Sequence, residues 1–359
     1  MKPIRLGFVG AGKQAQCAHI RNYALMPDCK LAAVADPDEV LAGKVAARYG
    51  IEQVYTSHKE MIAKAQPDAV VVTLPSIPAA EPIICDILAA KIPVFVEKPL
   101  AYSVQAAERI VAAAKKHGTL LVAGYHKRSD PAAMYAKAEI DRLKKTGELG
   151  KMKYARVHVC LAGDWISGGY SDAIKGSQPA PPPAPVPPEE FAGMMDEKTL
   201  FNYRFFAGAH SHQFDLMRHL IGEDYRIAYT EPSGVLLVVE SDSKVPGVFE
   251  FTPYASTKDW RESALIAFER GFVRVSLPAP VVNNLAGQVE VFRDEGGTAV
   301  PVSSMPVFPA RSALQQQAVN FLEILRGNKN VMCGAEDAMK SLVIARELTL
   351  RLKQNEISE

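Results

Sequence analysis

Three sets of side chains in this sequence stand at spacings that can carry chemistry. The densest is GAHSHQFDLMRHLIG, residues 208–222, which holds His210, His212, Asp215 and His219. Three imidazoles and a carboxylate can ligate a metal, exchange a proton or simply face solvent from a helix. A metal site needs three or four convergent ligands. On a helix starting near Ser211 or His212, His212 and His219 stand two turns apart, ~10 Å, too far to share one ion. His210 and His212 could share one, but no Cys or Glu motif completes the set, and no metal is expected. The apolar stripe of that helix is Leu216, Met217, Leu220 and Ile221, and His212, Asp215 and His219 share another face. A histidine at a helix N-terminus feels the positive end of the dipole, which favours the neutral imidazole, a form able to accept a proton. His212 stands at that place, and on spacing alone a proton carrier and a polar bystander are both open readings of it. His219 reads as a helix-surface residue, and Asp215 as a local cap or orienting group.

The second set is GAGKQA, with Gly10, Gly12 and Ala15 in G-x-G-x-x-A spacing. Gly10 allows a tight turn, Gly12 lets the backbone approach a pyrophosphate, and Ala15 keeps the following helix close to its strand. The helix N-terminus adds free N–H groups for phosphate, with Lys13 and Gln14 beside them. Asp36 follows 21 residues after Ala15, at the end of KLAAVAD. Its carboxylate can accept from both ribose hydroxyls and would repel a 2′-phosphate. Pro37 and Asp38 come next, with no arginine to hold such a phosphate, so NAD is favoured over NADP. Leu74 and Pro75, which end a later strand, complete the expected cofactor contacts. The third set is Glu97 and Lys98, directly after the strand Val94–Val96. Open α/β sheets bind ligands at the carboxyl ends of their strands. A lysine there can steady an alkoxide or carry a proton. By position alone, an exposed Lys–Glu pair is an equal reading.

These groups need a scaffold, and the first third of the chain supplies one. IRLGFVG, KLAAVAD, DAVVVTLP, PVFVEKP and TLLVAGY read as strands. Helical patterns separate them, two closed by Gly50 and Gly118. Such alternation gives a doubly wound parallel sheet. From about residue 151 the texture changes to KMKYARVHVCLAG, RIAYTEP, GVLLVVESD, GVFEFTP, ESALIAFER, GFVRVSLP and GQVEVFRDEGG. Several of these alternate apolar and polar residues, as strands of an antiparallel sheet with one free face do. The expected fold is α/β: a Rossmann domain over 1–125, then an α+β domain over 126–359 with an open, mostly antiparallel sheet. Two helices close the chain, and the last is free to pack back on the first domain. A proline run at 178–188 reads as a surface linker in polyproline II, or as a lid or arm.

The G-x-G-x-x-A loop, EKPLA near residue 100, GYHKRSDP at 124–131, HQFDLMRHL at 212–220 and GAEDAMKSLVIARELTLRL at 334–352 together resemble the Gfo/Idh/MocA family of oxidoreductases. The resemblance implies hydride transfer between a nicotinamide and a carbon of a sugar or polyol. It makes Lys98 the catalytic lysine, Glu97 its partner near the cofactor, and His212 the proton carrier. Lys98, Arg128, His210 and His212 become the expected substrate contacts. The family commonly carries an aspartate four residues before the histidine; here that position is Gly208. His210 either replaces the missing group or is only a polar residue on the approach to the helix.

Bulk properties narrow the partners. The 359 residues carry a net charge of +1 with no basic run, which favours neither nucleic acid nor an anionic membrane. No apolar run approaches the ~18 residues of a membrane span. Glycines interrupt the apolar start, unlike a signal peptide. The five cysteines, Cys17, Cys29, Cys85, Cys160 and Cys333, are scattered, as reduced thiols of a cytoplasmic enzyme are. The leading expectation is an NAD-dependent dehydrogenase of a sugar, cyclitol or related polyol. It is expected to form a homo-dimer or homo-tetramer through the C-terminal sheet. Two rivals are an NAD-retaining oxidoreductase, epimerase or lyase, and a non-catalytic sensor of NAD or sugar. Net accumulation of NADH separates the first rival, and tight binding of a protein partner without turnover marks the second.

Overall fold

β1 (Ile4–Val9) is apolar on both faces, with Leu6 and Phe8 fully buried, as central parallel strands are. It pairs in parallel with β2 (Cys29–Ala35) on one side and β4 (Ala69–Val72) on the other. The computed structural model describes residues 2–75, 77–163, 172–176, 188–191, 196–254, 256–329 and 331–358. The chain divides into two units, one of Met1–Tyr125, Gly168–Asp196 and Gln317–Leu342, the other of His126–Ser167, Glu197–Gln316 and Val343–Glu359.

In the first unit the sheet order is β15-β6-β5-β4-β1-β2-β3. Here β3 is Gln53–Tyr55, β5 Val94–Val96, β6 Leu121–Ala123 and β15 Cys333–Gly334. β15 alone of these runs antiparallel to its neighbour, β6. Strand order reverses between β1 and β4, which puts a ligand crevice at their carboxyl ends. A π turn, Ala15–Ile20, runs from the glycine loop into α1 (Arg21–Ala24). Asp38 caps α2 (Glu39–Tyr49) by accepting from Leu41 N, and Gly50 closes it at φ 70°. α3 (His58–Ala65) and α4 (Ala80–Ala89) follow. Ser103 caps α5 (Val104–His117). Sequence periodicity does not mark β3, α3 and β15, which are too short or too mixed to carry a clear period.

The proline run is described only at Pro188; 178–187 lie outside the described residues. Its flanks belong to the first unit. Ile174 N donates to Gln16 Oε1 at 2.8 Å, and Gln16 Nε2 donates back to Ile174 O at 2.9 Å. On the far side, Glu190 Oε1 accepts from Val104 N at 2.8 Å, and Glu189 accepts from Tyr102 Oη and Arg109.

In the second unit the sheet order is β14-β13-β12-β11-β7-β10-β9-β8. Its central strands are β7 (Met152–Cys160), β10 (Pro246–Phe251), β11 (Arg261–Phe268) and β12 (Gly271–Leu277). β8 (Tyr225–Thr230) and β9 (Leu236–Ser241) extend one side, β13 (Gln288–Arg293) and β14 (Val302–Ser304) the other. Among the described strand pairings of this sheet β7–β10 is parallel and the others are antiparallel. Along β11 Glu262, Ala264, Ile266 and Phe268 are buried while Ser263, Leu265 and Ala267 stand half-exposed on the other face. Asp130 caps α6 (Pro131–Thr146). α7 (Glu197–Phe205) passes through a π turn, Phe206–His210, into α8 (Ser211–Ile221), which packs on β7 and α6. α9 (Ala313–Leu325) and α10 (Ala335–Ser358) close the chain, and their stretch Gln317–Leu342 belongs to the first unit. α8 is buried on nearly all sides, Ser211 through Arg218 included, so its polar residues lie inside the protein.

Candidate active site

The glycine loop leaves β1 at its carboxyl end. Gly10 has φ +95°, and a Cβ there would stand 2.8 Å from Thr73 O, so only glycine fits. A Cβ on Gly12 would meet nothing within 4 Å, which leaves that backbone open to a ligand. Asp36, half-buried at the end of β2, holds the loop: its Oδ2 accepts from Ala11 N at 2.7 Å, and its Oδ1 from Asp38 N at 2.9 Å. Gln16 Nε2 donates to Ala11 O at 2.9 Å and fixes the other side of the same residue. Lys13 and Pro75 are exposed, and Gln14 and Leu74 half-buried.

Lys98 is half-buried just past β5 and precedes a cis proline bond. Glu97 is buried, and His19 Nε2 lies 2.8 Å from its Oε2. The Glu97 carboxylate thus faces the first helical turn, a partnership absent from the expectations drawn on sequence. The signal was present in the inward spacing of Ala15, His19 and Tyr23.

In the second unit a separate polar cluster gathers where α8 begins. Arg128 Nε and Nη2 donate to Asp215 Oδ2 and Oδ1 at 2.8 and 2.6 Å, with both side chains buried. Asp215 is therefore no local cap, and two guanidinium donors of Arg128 are taken up inside the protein. His212 is 7% exposed, and its ring meets His126 edge-on with centroids 4.6 Å apart. Lys127 pairs with Glu262, whose Oε1 also accepts from Gln213 Nε2 at 2.7 Å and whose Oε2 accepts from Trp260 Nε1 at 3.2 Å. Lys127 Nζ lies 5.4 Å from the Trp260 ring centroid. Glu262 carried a readable sign, an acid in the inward phase of β11 beside Ala264 and Ile266.

His210 differs from His212. It stacks on Phe251 at 4.2 Å and meets Phe205 edge-on at 4.9 Å. Burial pushes its imidazole down to about 4. The ring is 1% exposed and packs within an aromatic cage. His219 also departs from expectation. It is only partly exposed, and burial with the nearby Arg128 and Lys137 cations drives it well below the usual histidine range. A Cβ at Gly208, inside the π turn, would meet nothing within 4 Å. Among the described residues no group of three His, Cys, Asp or Glu side chains could hold a metal ion.

Residues 4–125 match the oxidoreductase family with an NAD-binding Rossmann fold, Gfo/Idh/MocA. Over that stretch, about a third of its length, the chain is similar to this family. The inositol 2-dehydrogenase of Acidothermus cellulolyticus is 34% identical over 150 residues, 42% of this chain and 42% of that protein. The chain thus spans about two fifths of the length of that relative. The oxidoreductase YrbE of Bacillus subtilis, itself uncharacterized, is 23% identical over 96% of this chain and 93% of that one. The fold is similar to that of scyllo-inositol dehydrogenase from Lactobacillus casei, solved with NAD(H) and scyllo-inositol. That likeness has a TM-score of 0.68 at 20% identity and covers 99% of this chain and 98% of the other. Among the described residues no helix is long and apolar enough to cross a membrane.

Proposed function

We propose that this chain is an NAD-dependent dehydrogenase that oxidises a secondary hydroxyl of a sugar, cyclitol or related polyol, or reduces the matching carbonyl. The observation that carries the reading is the Asp36-clamped glycine loop with Gly12 open to a ligand, on the same sheet edge as Lys98. That edge fits NAD. Gly12, Lys13 and Gln14 would hold its pyrophosphate, and the remaining acceptor sites of Asp36 its ribose hydroxyls. Leu74, Pro75, Glu97 and Lys98 would complete the contacts. A 2′-phosphate would meet Asp36 and Asp38, which disfavours NADP. Bound NAD supplies a hydride acceptor.

The chain's own residues manage the oxygen and its proton. Lys98 steadies the developing alkoxide with its ammonium. His212 takes the hydroxyl proton, and its neutral form is the competent base. Arg128 acts through Asp215, holding the helix that carries His212, where the sequence suggested a direct substrate contact. His210 stays outside the reacting set as a core imidazole. The functional division into 1–125 for the cofactor and 126–359 for substrate and assembly belongs to this reading. Names of the relatives favour inositols as the first substrates to try. We place the enzyme in the cytoplasm, consistent with five free thiols.

The test is a panel of inositols, sugars and sugar alcohols offered with NAD or NADP and read by NADH absorbance. Turnover with NAD on at least one cyclitol or sugar is expected, and Lys98→Met should reduce it by about two to four orders of magnitude. Unchanged turnover in Lys98→Met, or no turnover across the panel, sinks the assignment.

A further inference from the structure

We propose that His19 is a positioning residue which, through Glu97, sets the direction of the charge presented to the nicotinamide half of the cofactor. The inference rests on the NAD reading. The pyrophosphate loop follows β1, and the ribose acid Asp36 ends β2. Strand order reverses between β1 and β4. A dinucleotide laid across that switch point carries its second half over the carboxyl ends of β4 and β5. Glu97 is the first residue past β5.

Glu97 is held tightly there. Its backbone N donates to Val72 O at 2.8 Å, and its side chain is 9% exposed. Gly124, just past β6, comes so close that a Cβ on it would stand 2.7 Å from Glu97 Oε2. The same oxygen lies 2.8 Å from His19 Nε2. His19 is 2% exposed in the π turn after the glycine loop, its ring edge-on to Phe95 at 5.0 Å. The imidazole lies within hydrogen-bond distance of that carboxylate oxygen and fixes which way the group points. An ionised carboxylate in a site of low dielectric attracts a nearby cation strongly. Only the oxidised nicotinamide ring is cationic. His19 therefore favours NAD+ over NADH while remaining behind Glu97, out of reach of the substrate.

The full-length chain tests this by titration with NAD+ followed by calorimetry, and with NADH followed by its fluorescence. His19→Phe and Glu97→Gln should each weaken NAD+ relative to NADH by about tenfold or more, the scale of one hydrogen bond to a charged group. His19→Gln keeps an N–H close to the Nε2 position and should restore the ratio. Adding His19→Phe to Glu97→Gln should change the ratio no further. Equal weakening of both nucleotides, an unchanged ratio, or additive effects in the double variant overturns the proposal. If His19→Phe does not fold, Glu97→Gln decides by the same ratio, since it removes the charge and keeps the shape. A wild-type chain that binds neither nucleotide would instead refute the cofactor reading, a result visible before any substitution.

Discussion

His210 shows how strongly surroundings govern a side chain. In the sequence it is one of three similar histidines; in the fold it lies among Phe205, Phe206 and Phe251. Its folded pKa near 4 lies below the ordinary 6.5. The unfolded chain therefore binds the proton first as the pH falls. His210 contributes full stability above about pH 6.5 and loses it progressively toward pH 4. At about 1.4 kcal/mol per pKa unit the loss is of the order of 3 kcal/mol. His210→Phe should flatten the fall in melting temperature across that window, leaving the share due to His219. A variant whose melting temperature drops as steeply as wild type would show that the caged imidazole is not the acid-sensitive group.

At the scale of elements, the polar cluster of each unit begins at a π turn. Ala15–Ile20 carries His19, and Phe206–His210 leads into the helix of His212. Such turns insert a residue into a helix and re-aim the side chains beyond it, and they concentrate at functional sites. Nothing in the 3.6-residue period marks them, so the first stretch reads in sequence as an ordinary helix start and the second as the approach to a helix. The stops Gly50 and Gly118 were legible because they are local, and the structure adds the caps Asp38 and Ser103 at the starts. The attachment of α8 was not legible. The buried fork from Arg128 to Asp215 ties it to the short helical turn His126–Ser129. Arg128→Met strands a buried carboxylate and should cost about 3–5 kcal/mol in denaturant unfolding. Arg128→Met with Asp215→Leu should recover most of that. A single variant within about 1 kcal/mol of wild type would mean that the fork is not a structural tie.

At the scale of the molecule, the second sheet buries one face and leaves the other half-exposed. On that outer face Ala267 pairs with both Tyr154 and Phe272, and Phe272 pairs with Phe292. The last two rings stack at 5.5 Å. An apolar patch of this kind suits a self-complementary contact between two copies of the chain. We propose that a homo-dimer or homo-tetramer forms through it. Phe272→Glu should lower the mass measured by light scattering while circular dichroism stays native. A wild-type chain that is already monomeric at micromolar concentration refutes the contact.

By itself the sequence determined the two kinds of sheet, the glycine loop with Asp36, and the strand-end Lys98. Each rests on a short-range signal: a run of β-branched residues, a period of two, or a glycine where φ must be positive. Only the tertiary structure decided which charged groups meet. His19 and Glu97 are 78 residues apart, Arg128 and Asp215 87, and Lys127 and Glu262 135. No periodicity reaches across such distances. Burial then makes each pairing strong, because a charge removed from water must find its partner inside the protein.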